Sequence, residues 1–334
     1  MSQNYINWEV GKTEHLLNLS KKDLELIKIL RTNSRASLTE IGKELRISKV
    51  AVYNRIKNLE KDNILLGYSA YINFSKLGLT TYQIGIKTSM TLTEKEAYIK
   101  QLSELPFINQ ILKLSGGKWD FLVRLISNNE MIVEQLNQIS DVRIMDVDII
   151  ESQRVFLPHY PKGIIKNENI SPIFTGVLDK KIINLLFALA KNSRESIINL
   201  SSSVKLSQKT IIKMMKNLNK EGILLNLFAE FNPFVYGNEA YILLITTKKR
   251  DKDEKIAAGL AKLDSPGVFL NLQTPNIMSY HLISSLLELK NIEKSLQPYA
   301  ENIANYELVK LEEQNIYNLF PEPIYRYLLT KAKV

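Results

Sequence analysis

The sequence predicts an α+β fold in which two winged helix-turn-helix domains alternate with two ferredoxin-like βαββαβ domains. Three observations predict it. The chain is written twice: the segment from Leu19 aligns without a gap on the segment from Leu178, 159 positions later. Each copy opens with three short amphipathic helices separated by tight turns. Each then runs on through strands and helices in the order βαββαβ.

Polar positions carry the repeat as well as apolar ones. Asn33-Ser34-Arg35 falls on Asn192-Ser193-Arg194, Ser48 on Ser207, and Lys57-Asn58-Leu59 on Lys216-Asn217-Leu218. Gly78 falls on Gly237 and Tyr82 on Tyr241. Between the copies, Pro158, Pro161, Gly163, Pro172 and Gly176 punctuate a polar stretch that reads as a linker. The expected domains are a helix-turn-helix over 19–70, a ferredoxin-like domain over 80–157, and a linker over 158–177. A second helix-turn-helix over 178–228 and a diverged ferredoxin-like domain over 238–315 follow.

In the first copy, Leu24, Ile27 and Leu30, with Leu26 nearby, give an apolar helical face over 21–32. Asn33-Ser34-Arg35 is a short turn. Ser37 or Thr39 can cap a second helix that turns Leu38, Ile41 and Leu45 inward. Arg46-Ile47 makes a tight connection, and Ser48 stands where an N-cap oxygen would receive the free N–H groups of a third helix. Val52, Ile56 and Leu59 form that helix's buried stripe. Residues 63–78 read as alternating short strands, a wing and a hinge. Strands are expected at 80–90, 108–115, 119–127 and 142–156, with helices at 93–105 and 129–140. In the second copy strands are expected at 240–247, 267–273, 278–284 and 305–314, with a helix near 286–302.

A third helix behind a tight turn is the element that enters the major groove of DNA. With Val52, Ile56 and Leu59 inward, Val50, Asn54, Lys57 and Lys61 point outward, with Lys49 and Tyr53 at the edge and Ser48 at the start. An amide, an aromatic and several lysines suit base edges and phosphates. The second copy presents Gln208, Lys209, Lys213, Lys216 and Lys220, which suit phosphates more than bases. A solvated lysine face is the alternative; its recurrence in two trihelical contexts, with the basic excess gathered on those segments, favours double-stranded DNA.

Composition sets the remaining bounds. The 334 residues are 45% hydrophobic and 24% charged, with a formal net charge of +9. This suits a globular chain with a polyanionic partner. There is no cysteine, which excludes disulfides and thiolate-ligated metals. No apolar run approaches the roughly 20 residues that cross a bilayer, and the first residues do not read as a signal peptide. A cytoplasmic protein with no membrane contact is expected. No Gly-rich phosphate loop, nucleophile elbow or metal motif is present. His15, His159 and His281 form no spaced cluster. No cofactor, no metal and no enzymatic activity are expected.

The run from Asp23 to Leu30, Thr39-Glu40-Ile41-Gly42, the stretch from Leu45 to Glu60, Asn63 to Tyr68 and Lys76-Leu77-Gly78 together resemble the Lrp/AsnC (feast/famine) family of transcriptional regulators. The resemblance covers 19–157 well and 178–315 loosely. It implies DNA contact by the Ser48–Lys61 helix and a βαββαβ domain for effector binding and assembly. Arg55 matches a family arginine; it either reaches a phosphate or stabilises the domain. Met214 replaces it in the second copy, and Leu227 replaces Tyr68. The resemblance also implies a small, amino-acid-like effector near the turn between the two central strands. Here that turn holds Gly116, Gly117 and Asp120: the glycines let backbone amides approach a carboxylate, and Asp120 could accept from an ammonium. A tight hairpin without ligand is the plainer reading, and the matching Pro275–Tyr280 segment lacks both glycines and the aspartate.

Carrying two recognition helices, the chain is expected to fold as an intramolecular pseudo-dimer, or to form a homo-oligomer. Two rival functions stand beside the regulator. Sirohaem decarboxylases are similar to this family in fold, but use a His-Asn-Tyr stretch and a nearby Arg at the central strands. The corresponding strands here, Ile108–Lys113 and Val268–Gln273, hold no histidine. The other rival is a protein-interaction adaptor without DNA binding, against which the basic faces argue.

Overall fold

The computed structural model describes residues 19–156, 178–232 and 239–332, except 264, 266 and 284, and omits the side chains of 153–156, 316 and 317. The expected linker and Gly237 lie outside the described residues.

Each copy begins with three capped helices. α1 (Lys21–Thr32) starts at a capping box between Ser20 and Asp23, and α2 (Leu38–Leu45) at one between Ser37 and Glu40. Ser48 caps α3 (Lys49–Lys61) by accepting from the Ala51 N–H at 3.1 Å. Leu26, Ile27, Leu30, Ile41, Leu45, Val52, Ile56 and Leu59 fill the core between them. Leu24, expected on the inner face, is 44% exposed, and Leu26 takes its place. Between α2 and α3, Arg46 adopts the left-handed conformation (φ 53°). A Cβ on Gly42 would stand 2.8 Å from the Ile47 carbonyl oxygen, so the tight connection needs glycine there.

In the expected wing, one strand replaces the alternating short strands. Residues 65–72 form one strand, β1 (Leu65–Ile72), followed by a 3-10 turn over Phe74–Leu77. β1 makes no hairpin within its own half. Its partner is β6 (Leu224–Phe231) of the second copy, in a two-stranded antiparallel sheet. Ser69 faces Phe228, its own repeat equivalent, so a pseudo-two-fold axis passes through this pair.

The βαββαβ order follows as β2 (Thr80–Thr88), α4 (Leu92–Ser103), β3 (Ile108–Ser115), β4 (Phe121–Ser127), α5 (Ile132–Ile139) and β5 (Ile144–Phe156). The second copy repeats the trihelical unit as α6 (Lys180–Lys191), α7 (Ile197–Val204) and α8 (Gln208–Lys220). After β6 come β7 (Glu239–Thr247), α9 (Asp253–Ala261), β8 (Gly267–Asn271), β9 (Ile277–Ile283), α10 (Leu286–Leu296) and β10 (Ile303–Tyr317). A last helix, α11 (Glu322–Lys331), packs Ile324 and Leu328 into the core of the second trihelical unit. α11 was absent from the sequence expectations, and α9, the first helix of the expected second βαββαβ order, had been given no bounds.

The two four-stranded sheets join edge to edge, β5 to β8 and β10 to β3, and close an eight-stranded barrel in the order β10-β3-β4-β2-β5-β8-β9-β7. Closure leaves the sheet no full-length open edge. The helices cover the outer faces, and Leu112, Leu122, Ile150, Ile242, Phe269 and Met278 meet inside. This is the intramolecular pseudo-dimer. Gly85 on β2 lies against the Trp119 indole, where a Cβ has no room. Its repeat equivalent on β7 is Leu244, which fills its own space.

A reciprocal clasp joins the trihelical units. The hydroxyls of Ser34 and Ser193, repeat equivalents, are both fully buried and hydrogen-bond to each other at 2.6 Å. Arg35 donates to the carbonyl oxygens of Ser193 (2.8 Å) and Glu195 (2.7 Å). Arg194 donates to that of Ser34 and lies 5.5 Å from the Tyr68 ring centroid. The Ser34 N–H donates to Leu227 O and the Ser193 N–H to Tyr68 O. Burial, and then the like charge of Arg194, lower the Arg35 pKa.

Two outcomes follow. Gly85→Ala forces the Trp119 ring out of its site and destabilises the chain by about 1–3 kcal/mol, read by chemical denaturation, overpacking being the cause. Gly67→Ala, where a Cβ meets nothing within 4 Å, is the neutral control. Arg35→Ala and Arg194→Ala each cost on the order of 1–3 kcal/mol through the removal of charge-assisted hydrogen bonds. The double variant costs more than the sum, because each single variant relieves the repulsion between the two guanidinium groups and the double can relieve it only once.

Candidate nucleic-acid interface

In α3 the buried side is Val52, Ile56 and Leu59. Ser48, Lys49, Val50, Tyr53, Asn54, Lys57 and Lys61 all lie exposed, with Val50 at 67% and Tyr53 at 49%. The structure thus brings seven of the eight residues expected for the first recognition face onto one solvent surface. Lys57 is not wholly free: its ammonium pairs with Glu60 at 2.6 Å, which raises its pKa, and lies 6.0 Å from the Tyr53 ring centroid.

Arg55 is the eighth, and its geometry is different. Its guanidinium reaches back to Asp23 (2.6 Å) and the Ser20 hydroxyl (3.1 Å) at the start of α1. Burial alone would raise the Asp23 pKa; hydrogen bonds from Ser20 and Arg55 outweigh it and lower it. Of the two roles open to Arg55 in the sequence, this geometry is that of a tie between helices.

An open groove runs along the turn in front of α3, lined by Thr39, Gly42, Lys43, Arg46, Ile47, Ser48 and Lys49. Lys43, Arg46 and Lys49 are exposed along it, a row of cations at the positive N-terminal end of a helix. Lys43 and Arg46 were missed in the sequence. A signal existed: the left-handed turn residue is basic in both copies, Arg46 and Lys205.

The second face, on α8, exposes Gln208, Lys209, Ile212, Lys213, Lys216 and Lys220. Ser207 caps it by accepting from the Thr210 N–H at 3.2 Å. Met214, in place of Arg55, is half-buried against the second core. Lys209, Lys213 and Lys216 carry no ion pair with any described residue. The two faces differ in kind, one mixing an amide, an aromatic and cations, the other nearly all cationic.

The candidate effector turn is also occupied by internal contacts. Gly116 is left-handed (φ 75°), and a Cβ on Gly117 would collide with Val309 of β10. Asp120, 8% exposed, accepts from the Thr88 N–H (2.8 Å), Lys95 (2.8 Å) and Lys87 (3.3 Å). Burial would raise its pKa, but these donors lower it. An ammonium therefore already faces Asp120, and the chain itself supplies it. In the second copy Asn276 takes over the backbone contact, accepting from the Thr247 N–H at 2.8 Å. His281 is buried on β9, and burial lowers its pKa to about 4. No cluster of metal-ligating side chains occurs among the described residues, and none of their helices is long and apolar enough to cross a membrane.

Residues 19–60 match the AsnC-type helix-turn-helix domain, and residues 178–224 a winged helix-turn-helix DNA-binding domain. The chain is 35% identical over 98 residues to the HTH-type transcriptional regulator Ptr1 of Methanocaldococcus jannaschii, 29% of this chain and 66% of that protein, just under two thirds of its length. It is 34% identical over 99 residues to the HTH-type transcriptional regulator LrpA of Pyrococcus horikoshii, 29% of this chain and 69% of that protein. Among solved structures it is similar in fold to the siroheme decarboxylase NirDL, with a TM-score of 0.56 at 14% identity, over 93% of this chain and 98% of the other. That likeness shows the fold of two fused halves. The identity with LrpA over more than two thirds of that regulator, together with the helix-turn-helix match, places the chain in the Lrp/AsnC family of helix-turn-helix transcriptional regulators.

Proposed function

We propose that the chain is a double-stranded DNA-binding transcriptional regulator that presents two unequal recognition helices from one pseudo-two-fold body. The observation that carries this reading is the pair of capped helices, α3 and α8, tied through the clasp and exposing cationic faces. α3 reads base edges through Asn54 and its neighbours, with Lys43, Arg46 and Lys49 on the phosphates. α8 contributes phosphate contacts through Lys209, Lys213 and Lys216. The operator is then asymmetric. Small-molecule modulation at Gly116 and Gly117 rests on the backbone of that turn alone, with Gly116 exposed and Gly117 half-buried against Val309, since Asp120 is engaged.

A second reading has one observation in its favour, the whole-chain likeness in fold to a siroheme decarboxylase. Against it, neither Ile108–Lys113 nor Val268–Gln273 holds a histidine, and His281 is buried. Titrating the protein with a tetrapyrrole and recording ultraviolet-visible spectra separates the two readings: the regulator gives no Soret shift, and a saturable one overturns the non-enzymatic assignment.

For the regulator, genome-wide binding supplies the operator and footprinting its symmetry; two identical half-sites would refute the unequal-helix reading. Asn54→Ala and Lys57→Ala weaken operator binding by about 1–3 kcal/mol for each base-edge interaction removed. Replacing Lys209, Lys213 and Lys216 with Ala weakens binding to all duplexes and flattens the salt dependence by about one unit for each phosphate no longer neutralised. If sequence-specific binding survives both α3 substitutions, α3 is not the recognition helix.

A further inference from the structure

Glu60 is the only carboxylate on α3, and α8 has none: Asn219 stands at the equivalent position. The place is unfavourable twice over. Glu60 sits in the last turn of the helix, where the macrodipole favours cations. It also borders an otherwise cationic face that, as a DNA-reading surface, meets phosphates of like charge. The stability of an exposed ion pair is too small to account for a carboxylate there.

Its contacts point to another role. Glu60 Oε2 takes the Lys57 ammonium at 2.6 Å, with the lysine side chain 54% exposed and the glutamate 33%. The Tyr68 hydroxyl stands behind it, 3.5 Å from Oε1. Burial pushes the Tyr68 phenol up to about 12, so it stays a donor at neutral pH. Tyr68 is held in turn by the clasp: its carbonyl oxygen accepts from the Ser193 N–H, and the Arg194 guanidinium lies over its ring. The carboxylate is braced from the second half, and the ammonium by the carboxylate.

The second copy lacks both the acid and the phenol. Leu227 replaces Tyr68, and Asn219 donates its side-chain amide to the Leu224 carbonyl oxygen at 3.0 Å. Lys216, the equivalent of Lys57, is exposed with no ion pair among the described residues. Only the helix that carries an amide and an aromatic on its face restrains its lysine.

An unpaired ammonium is a flexible point charge drawn to any phosphate. Pairing it with a fixed carboxylate cancels most of that pull and leaves two of its three N–H donors free in a set direction. A directed donor discriminates guanine, whose O6 and N7 accept in the major groove. Specificity is a difference of affinities, so weakening the grip on the wrong duplex raises it. We propose that Glu60 is a specificity-determining residue of α3: it keeps the Lys57 ammonium off the phosphates and aims it at base edges, guanine above all. Glu60 acts through Lys57 and is a positioning residue. The inference rests on the reading of α3 as a DNA recognition helix and adds what sets its selectivity.

The test measures binding of the full chain to its mapped operator and to a scrambled duplex of the same composition, by fluorescence anisotropy over a salt series. Glu60→Gln keeps the side-chain shape and removes the charge. It is expected to tighten binding to the scrambled duplex and to steepen that salt dependence by about one unit, one more phosphate being neutralised. The operator-to-scrambled affinity ratio is expected to fall about tenfold, the size of one base contact. Asp62→Asn removes an exposed carboxylate just past the end of α3 and is expected to raise both affinities alike, leaving the ratio unchanged. In a Lys57→Met background, Glu60→Gln is expected to leave the ratio where Lys57→Met put it. An unchanged ratio in Glu60→Gln, an equal fall in Asp62→Asn, or a further fall in the Lys57→Met background overturns the inference. A wild-type chain that binds both duplexes equally overturns the reading of α3 as well; one that prefers its operator, with that preference intact in Glu60→Gln, overturns only the role of Glu60.

Discussion

The structure depends on one constraint, the reciprocal clasp between Asn33-Ser34-Arg35 and Asn192-Ser193-Arg194. Each arginine reaches across the axis to a main-chain carbonyl of the other motif, and the two serine hydroxyls complete each other at the centre. The β1–β6 ladder runs through the same axis. These contacts bury hydrogen-bonding groups that are paired mainly across the two halves; the Ser193 hydroxyl also reaches Phe228 O of its own half at 3.3 Å. The Ser34 and Ser193 N–H groups and both guanidinium groups take their carbonyl partners from the opposite half. Fixing the units to each other fixes the relation between α3 and α8, so the spacing of any two half-sites is a property of this clasp.

The barrel does the same for the remainder of each half. A four-stranded ferredoxin-like sheet covers one face with helices and leaves the other apolar face open. Here the two open faces close on each other, and the edge strands pair as well. Divergence within that shared interior is compensatory at one level and open at another. Gly85 makes room for Trp119, while Leu244 on the equivalent strand needs no such filler. Around Arg124, in contrast, donors and acceptors are left unspent: Arg124 Nε, Gln110 Oε1 and Gln314 Nε2. Packing tolerates volume exchange well; it does not remove an unmatched charge.

Much of the fold was legible because its signals are local. Ser20, Ser37, Ser48, Ser196 and Ser207 accept from N–H groups three residues on, and apolar spacing marks which side of each helix turns inward. The recognition faces were legible for the same reason: once Val52, Ile56 and Leu59 are inside, helical geometry alone turns Asn54 and Lys57 out. Other features carry no local signal. β1 alternates like a wing strand, and nothing in it says that its partner lies in the other half. The nine-residue α9 is short and follows a charged stretch, and α11 is stabilised by stacking of Tyr325 on Phe187 rather than by a cap. Asp120 and Arg55 look free in sequence because their partners, Lys95 and Asp23, are distant in the chain.

The sequence by itself determined the duplication, the capped trihelical units, the βαββαβ order and the outward cations. All of these follow from periodicity and capping chemistry, which act within a few residues. Only the tertiary structure decided that the matched Asn-Ser-Arg motifs are a clasp and not merely turns, that the two sheets close one barrel, and that the Arg124 guanidinium meets the Tyr280 hydroxyl. Such pairings join residues more than a hundred positions apart, and their energy is a property of two surfaces brought together. A repeat in the sequence announces that two similar surfaces exist; the folded chain alone shows which atoms they share.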